Sequence, residues 1–267
     1  MPLFRKTARR DTAARAPRPT ATIEGLEGRI VFNNTLPTAT DLGTVFGEVT
    51  KTDSVSSSDT LDHYKVKLAA TGKLWAKLRN LTADADLRLI KDSNNNGVAE
   101  ASEVIGTSLN GGTTNETIFK SSLAAGTYFI QVKRVAGTPS YKLLVKTDYA
   151  GNSFFNARNL GTFTGTKTFT DRVDSADDKD DFYKIVLTST KTVSATTTGG
   201  GDVDLELAVD TDKDGVYDVG QDFIHRSNNP NTSTENLGSF TLNAGTYYIR
   251  VFRGLADGTY TTNIKIS

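Results

Sequence analysis

The chain contains no cysteine, which excludes disulfides, thiolate metal sites and cysteine nucleophiles. Its two histidines, His63 and His225, are too few for a histidine-rich metal centre. The formal net charge is zero, so the whole chain lacks the field that draws a protein to nucleic acid or an anionic membrane surface. No apolar run is long enough to cross a bilayer as a helix. Gly-x-Ser-x-Gly, His-Glu-x-x-His and P-loop patterns are also missing, which argues against catalysis. Proline is scarce, at six residues, and tryptophan occurs once.

What the chain has in quantity is glycine, threonine, serine, asparagine and aspartate around a 37% hydrophobic content. That mixture predicts β-structure with many turns. Met1 to Arg29 carries seven basic and three acidic residues without an apolar period, so residues 1–32 read as a disordered basic tail. The tail lacks an apolar stretch of about 7–15 residues and does not read as an ordinary secretory signal peptide. Its "LEGR" resembles a short Leu-Glu-x-Arg segment near the N-terminus of exported proteins of planctomycete-type bacteria, which implies an export-related role.

Beyond the tail the sequence repeats itself. "NTLPTATDLGTVFGEV" returns as "NSFFNARNLGTFTGTK", "LDHYKVKL" as "DDFYKIVL", and "LAAGTYFIQV" as "LNAGTYYIRV". Each copy is long enough to build its own core, so the pattern predicts two tandem domains, 33–148 and 149–267. Within each copy the apolar period is two. Tyr64, Val66 and Leu68 alternate with Lys65 and Lys67, and Tyr183, Ile185 and Leu187 follow suit. Such alternation between polar turns predicts an all-β chain of two tandem β-sandwiches.

The repeated Asn-x-x-x-x-Ala-x-x-Leu-Gly, Asp-x-Tyr, Asp-x-Asp-Leu and Ala-Gly-Thr-Tyr marks resemble those of the bacterial pre-peptidase C-terminal domain. That resemblance implies a jelly-roll-like sandwich, similar to the collagen-binding modules of clostridial collagenases, and a secreted or cell-surface location. No peptidase accompanies the two copies here.

Between two strand-like runs lies "DSNNNGVAEASE", which has the spacing of a calcium loop. Calcium takes six to eight oxygens, and acids or amides at positions 1, 3 and 5 can fold inward when glycine at 6 permits a sharp turn. The ligands predicted for loop one are Asp92, Asn94, Asn96, the Val98 carbonyl, Glu100 and Glu103. For loop two they are Asp210, Asp212, Asp214, the Val216 carbonyl, Asp218 and, one residue late, Asp222 in place of Gln221. A plain polar hairpin explains the Asn-Gly and Asp-Gly pairs but not the outlying acids. Five formal negative charges against three make loop two the tighter calcium site expected.

A second acidic group precedes each Asp-x-Tyr strand: Asp59 and Asp62, then Asp177, Asp178, Asp180 and Asp181. The resemblance would join Asn34 or Asn152 to Asp62 or Asp181 around an ion, but a solvated acidic turn is the simpler expectation. Asp86 and Asp204 are expected to cap a turn or join the neighbouring loop. In "KLWAKLRNL" alternation turns Lys73, Trp75, Lys77 and Arg79 outward, a strip suited to a sugar ring or an anionic polymer. The alternative is that Trp75 packs under cationic stems. The sequence thus predicts an exported, non-catalytic, calcium-stabilised module that binds an extracellular protein or polysaccharide. A small hydrolase with an unrecognised acid pair and a ligand-free spacer or secretion-assisting segment are the alternatives.

Overall fold

The structure is a computed structural model, and it describes residues 35–176, 178–230 and 234–267. The basic tail, together with Asn34 and Asp177, lies outside the described residues. Strands in the first half are β1 (Thr40–Thr44), β2 (Gly47–Ser54), β3 (Leu61–Leu68), β4 (Gly72–Arg79), β5 (Ala85–Ile90), β6 (Val104–Ser108), β7 (Glu116–Leu123), β8 (Gly126–Arg134) and β9 (Ser140–Asp148). The second half follows with β10 (Arg158–Gly161), β11 (Gly165–Val173), β12 (Asp180–Leu187), β13 (Lys191–Gly199), β14 (Asp202–Ala208), β15 (Phe223–Ser227), β16 (Glu235–Leu242), β17 (Gly245–Ala256) and β18 (Gly258–Ile266). The only helical turns among the described residues are 3-10 turns at Leu36–Thr38 and Ala101–Glu103.

Each half packs a five-stranded sheet against a four-stranded one. The orders are β1-β3-β8-β5-β6 over β2-β9-β4-β7, and β10-β12-β17-β14-β15 over β11-β18-β13-β16. The second half therefore reproduces the first strand for strand. Pairing is antiparallel except where the short β1 and β10 run parallel to β3 and β12. The all-β, two-sandwich architecture expected from the alternation is what the chain adopts.

The period of two explains the cores. Tyr64, Val66 and Leu68 turn inward beside Leu74, Ala76 and Leu78, and all six are buried. The second core forms around Tyr183, Ile185, Val193, Ile249 and Ile264. Burying side chains of this size contributes about 1.5–3 kcal/mol each. The chain passes from one core to the other at a single peptide bond, with Tyr149 in the first cluster and Ala150 in the second. Tyr149 donates its hydroxyl to the Val45 carbonyl at 2.8 Å, while its backbone N–H donates to Asp171 Oδ2 at 2.9 Å. One residue thus ties the β1–β2 connection of the first sandwich to β11 of the second.

Candidate metal centre

The two acidic loops occupy the same place in each sandwich, as the connections from β5 to β6 and from β14 to β15. Both are closed by one backbone hydrogen bond, Lys91 N to Glu103 O at 3.0 Å and Val209 N to Asp222 O at 2.9 Å. Glycine at position 6 is needed in each, since Gly97 and Gly215 have φ of 74° and 80°. The first acid accepts from that glycine, Gly97 N to Asp92 Oδ2 at 3.0 Å and Gly215 N to Asp210 Oδ2 at 3.2 Å. Asn96 and Asp214 accept in turn from Val98 N and Val216 N, at 2.8 and 2.7 Å.

Asp222 takes the place of Glu103. Ser93 N donates to Glu103 Oε1 at 2.8 Å, and Thr211 N donates to Asp222 Oδ1 at 2.9 Å. The extra residue in loop two is absorbed by a turn in which Gln221 N and Asp222 N both donate to the Asp218 carbonyl at 3.1 Å. Gln221 points its amide at Asp212 Oδ2 instead, at 2.9 Å.

The loops differ in how their charge is balanced. In loop one the side-chain amides of Asn94 and Asn96 donate to Glu100 at 2.9 and 3.1 Å. Loop two has carboxylates at those positions. Oxygens of Asp210, Asp212 and Asp222 lie within 4.8 Å of one another, as do those of Asp212, Asp214 and Asp218. Asp218 is pushed above the usual carboxylate range by lost hydration, then by Asp214, Asp212 and Asp222. Among the described residues, Asp210 Oδ1 and Glu103 Oε2 are buried without a hydrogen-bond partner. An oxygen in that state suits a cation, because a buried unpaired acceptor costs about 1–3 kcal/mol or more when charged.

The acids before the Asp-x-Tyr strands correct the sequence reading. They are not a solvated turn: Asp62, Asp178 and Asp181 are buried. Asp181 and Asp171 meet Asp148, the last residue of β9, with an oxygen of each within 4.8 Å of the others. Asp178 adds a carboxylate that is 2% exposed and has no hydrogen-bond partner on either oxygen among the described residues. Lys73 pairs with Asp148, and Lys146 pairs with Asp174 at 2.8 Å. Burial raises Asp171 and Asp181 well above the carboxylate range, with neighbouring acids adding to it. Asp178 is pushed up to about 8, chiefly by burial and then by Asp148. Sequence reasoning missed this group because Asp148 belongs to the first copy and the other three to the second. In the first sandwich Asp62 accepts from Tyr141 instead, and burial lifts it to about 7. Asp86 and Asp204 cap no turn; they lie inside β5 and β14, where Asp86 pairs in register with Lys133.

The strip on β4 lies on the outer face of its sheet, as alternation required, but Trp75 is not a lone ring. It stacks on Phe119 of β7 with centroids 4.8 Å apart and planes at 28°. Lys146 Nζ lies 5.7 Å from its centroid, and Lys146 is its register partner on β9. Lys73 is held by Asp148, while Lys77 and Arg79 have no ion pair among the described residues. Neither histidine is set up as a base. His63 is buried with its Nε2 2.9 Å from Gln131 Nε2, and His225 packs its ring on Phe240.

The pre-peptidase C-terminal domain of a collagenase from Bacillus anthracis aligns with 40% of this chain and 94% of its own, at 16% identity and a TM-score of 0.32. PliG of Aeromonas hydrophila, a periplasmic lysozyme inhibitor of g-type lysozyme, aligns with 41% of this chain and 97% of its own, at 18% identity and a TM-score of 0.32. The exported protein XepA of PBSX spans 82% of this chain and 86% of its own, at 10% identity and a TM-score of 0.28. No curated protein matches the chain. A family profile, the bacterial pre-peptidase C-terminal domain, matches residues 60–134 and again residues 180–253, as the repeated motifs led one to expect. With more than half of its length matched in two tandem copies, this chain belongs to the bacterial pre-peptidase C-terminal domain family.

Proposed function

We propose that the chain is an exported, non-catalytic binding module, stabilised by calcium, that attaches to an extracellular protein or polysaccharide. The observation that carries the calcium reading is loop two, where Asp210, Asp212, Asp214, Asp218 and Asp222 converge and Asp210 Oδ1 has no donor among the described residues. Asp210, Asp212, Asp214, Asp222 and the Val216 carbonyl would hold the ion, with Asp218 reached directly or through water. Calcium would neutralise acids that otherwise repel, and would pin the β14–β15 connection at the sheet edge. Loop one, with Asp92, Asn94, Asn96, Val98, Glu100 and Glu103, offers fewer charges and binds more weakly. The Asp148, Asp171 and Asp181 group is a further seat for the same ion, since carboxylates that close need protons or a cation.

The binding role rests on the outer face of β4, which carries an aromatic pair among cations rather than a catalytic constellation. Calorimetric titration with calcium, repeated with magnesium, tests the metal. A glycan and matrix-protein array with and without calcium tests the module. Saturable calcium binding and retention of an array component without turnover support the reading. Turnover of a retained component would point to a hydrolase, and a protein inert in both assays to a spacer.

A further inference from the structure

Where the two sandwiches meet, a cleft of about 420 Å³ opens beside the aromatic pair. Lys73, Ser121, Ser122, Asn156, Arg158 and Asn159 line it. Lys73 and Ser121 lie two residues along β4 and β7 from Trp75 and Phe119, a step of about 7 Å along a strand. Cleft and aromatic pair are therefore adjoining parts of one surface.

The cleft is rich in donors. Asn156 Oδ1 accepts from both the N–H and the hydroxyl of Ser153, and Asn159 Oδ1 accepts from Gly161 N. Each amide therefore has its Nδ2 hydrogens to offer. The Arg158 guanidinium sits over the Phe169 ring, with Cζ 4.6 Å from the centroid, and pairs with no carboxylate among the described residues. A guanidinium without a carboxylate partner has its fork of N–H donors to offer an anion. Away from the cleft the same sheet face carries Lys77, Arg79 and Lys142, none of them in an ion pair among the described residues. Its acids are Glu48 and Asp148, and Asp148 is taken by Lys73. In a chain of zero net charge this face is distinctly cationic.

The aromatic pair selects the kind of anion. Trp75 stacks on Phe119 of β7 and has the Lys146 ammonium of β9 5.7 Å from its ring centroid. Phe119 stands on the edge strand β7 and is 49% exposed, so its outer face is open. An open ring beside hydroxyls, amides and cations suits a polymer that alternates apolar C–H faces, hydroxyls and acid groups.

We propose that this cleft and the Phe119 face bind an acidic polysaccharide. Arg158, Asn156 and Asn159 take a sugar carboxylate, Phe119 takes a ring face, and Lys77 and Arg79 follow the next acid groups. The proposal rests on the binding-module reading and specifies its ligand class.

Trp75, the only tryptophan, reports on the site. Polygalacturonate titrated into the full chain in about 0.15 M salt should change Trp75 emission saturably. Phe119→Ala and Arg158→Ala, each checked for an unchanged melting temperature, should each weaken binding by about tenfold. Ser121→Phe, which fills the cleft and leaves Trp75 the only tryptophan, should block binding, and it decides the matter if Phe119→Ala fails to fold. Neutral dextran should give no saturable change. Equal binding of polyglutamate or oligo(dT) overturns the proposal, since charge alone or a nucleic acid would then suffice. So does wild-type affinity in Arg158→Ala, or a wild type that ignores polygalacturonate. If the array still retains another component that Phe119→Ala leaves bound, only this inference falls. If nothing is retained in either assay, the module reading falls with it.

Discussion

The two sandwiches share strand order and a buried tyrosine pair, yet treat the acids beside that pair differently. In the first, Tyr64 and Tyr141 hydroxyls meet at 2.7 Å, Tyr64 donates to Asp53 at 3.1 Å, and Tyr141 donates to Asp62. In the second, Tyr183 and Tyr260 meet at 2.8 Å and Tyr260 donates to Asp181 at 2.5 Å. Asp171, the counterpart of Asp53, turns instead to the backbone N–H groups of Tyr149 and Arg172. Asp53 is exposed, while Asp171 is fully buried and shares its space with Asp148 and Asp181. The same motif is thus a hydroxyl-capped acid in one copy and part of a crowded acid group in the other. What differs is the chain running in from β9, which brings Asp148 and covers the site.

Removing the tie between the copies should have the largest effect. Tyr149→Ala empties a buried ring site and loses the hydroxyl's bond to Val45, at a cost of about 3–5 kcal/mol in urea unfolding. If that loss is confined to the first sandwich, two transitions will separate; if the junction couples the copies, one transition will shift as a whole. A fragment of residues 35–150 should accordingly outlast one of residues 35–148, which lacks Tyr149.

The acid group itself can be tested against its counterpart. In chelator at neutral pH, Asp178→Asn should stabilise the protein by about 1–3 kcal/mol, because it removes a buried carboxyl that folding forces to take up a proton. Asp59→Asn, the matching change in the first copy, should stay within about 0.5 kcal/mol. In calcium the gain from Asp178→Asn should reverse. Equal effects of the two substitutions in chelator would erase the distinction drawn between the copies.

Calcium should separate the loops next. At a dissociation constant of about 0.1 mM and about 2 mM calcium, one site adds about 1.8 kcal/mol by mass action. Asp210→Ala should remove more of the melting-temperature rise on adding calcium than Asp92→Ala does. The reverse ranking would mean that the amide-balanced loop one is the better site.

A pH dependence should come from the first copy as well. Asp62 is raised to about 7 in the folded protein, from a usual value of 3.8, chiefly by burial. The folded state therefore binds the proton more readily than the unfolded state. Its contribution is fully present below about 4 and is lost as pH rises through about 7. In chelator, Asp62→Asn should flatten the fall in stability across that window, and an unchanged slope would count against the burial of its charge.

Much of this was legible in the residues alone. The copies of "DADLRLIKDSNNNG" and "AGTYFIQV" placed the tandem domains, and the period of two named Tyr64, Val66 and Leu74 as inward. The loop spacing placed Asp92 and Asp210 at equivalent corners. These features are local, because strand alternation and a tight turn are set by residues a few positions apart. The tertiary structure alone decided that Phe119 fills one face of Trp75, that Arg158 opens into a cleft, and that Asp148 joins Asp171 and Asp181. The burial of Asp62, Asp178 and Asp181 belongs with these. Whether a carboxylate is hydrated or crowded depends on what covers it, and what covers Asp171 comes from the end of the other copy. Desolvation and charge repulsion act across space, so no period or spacing in the sequence carries them.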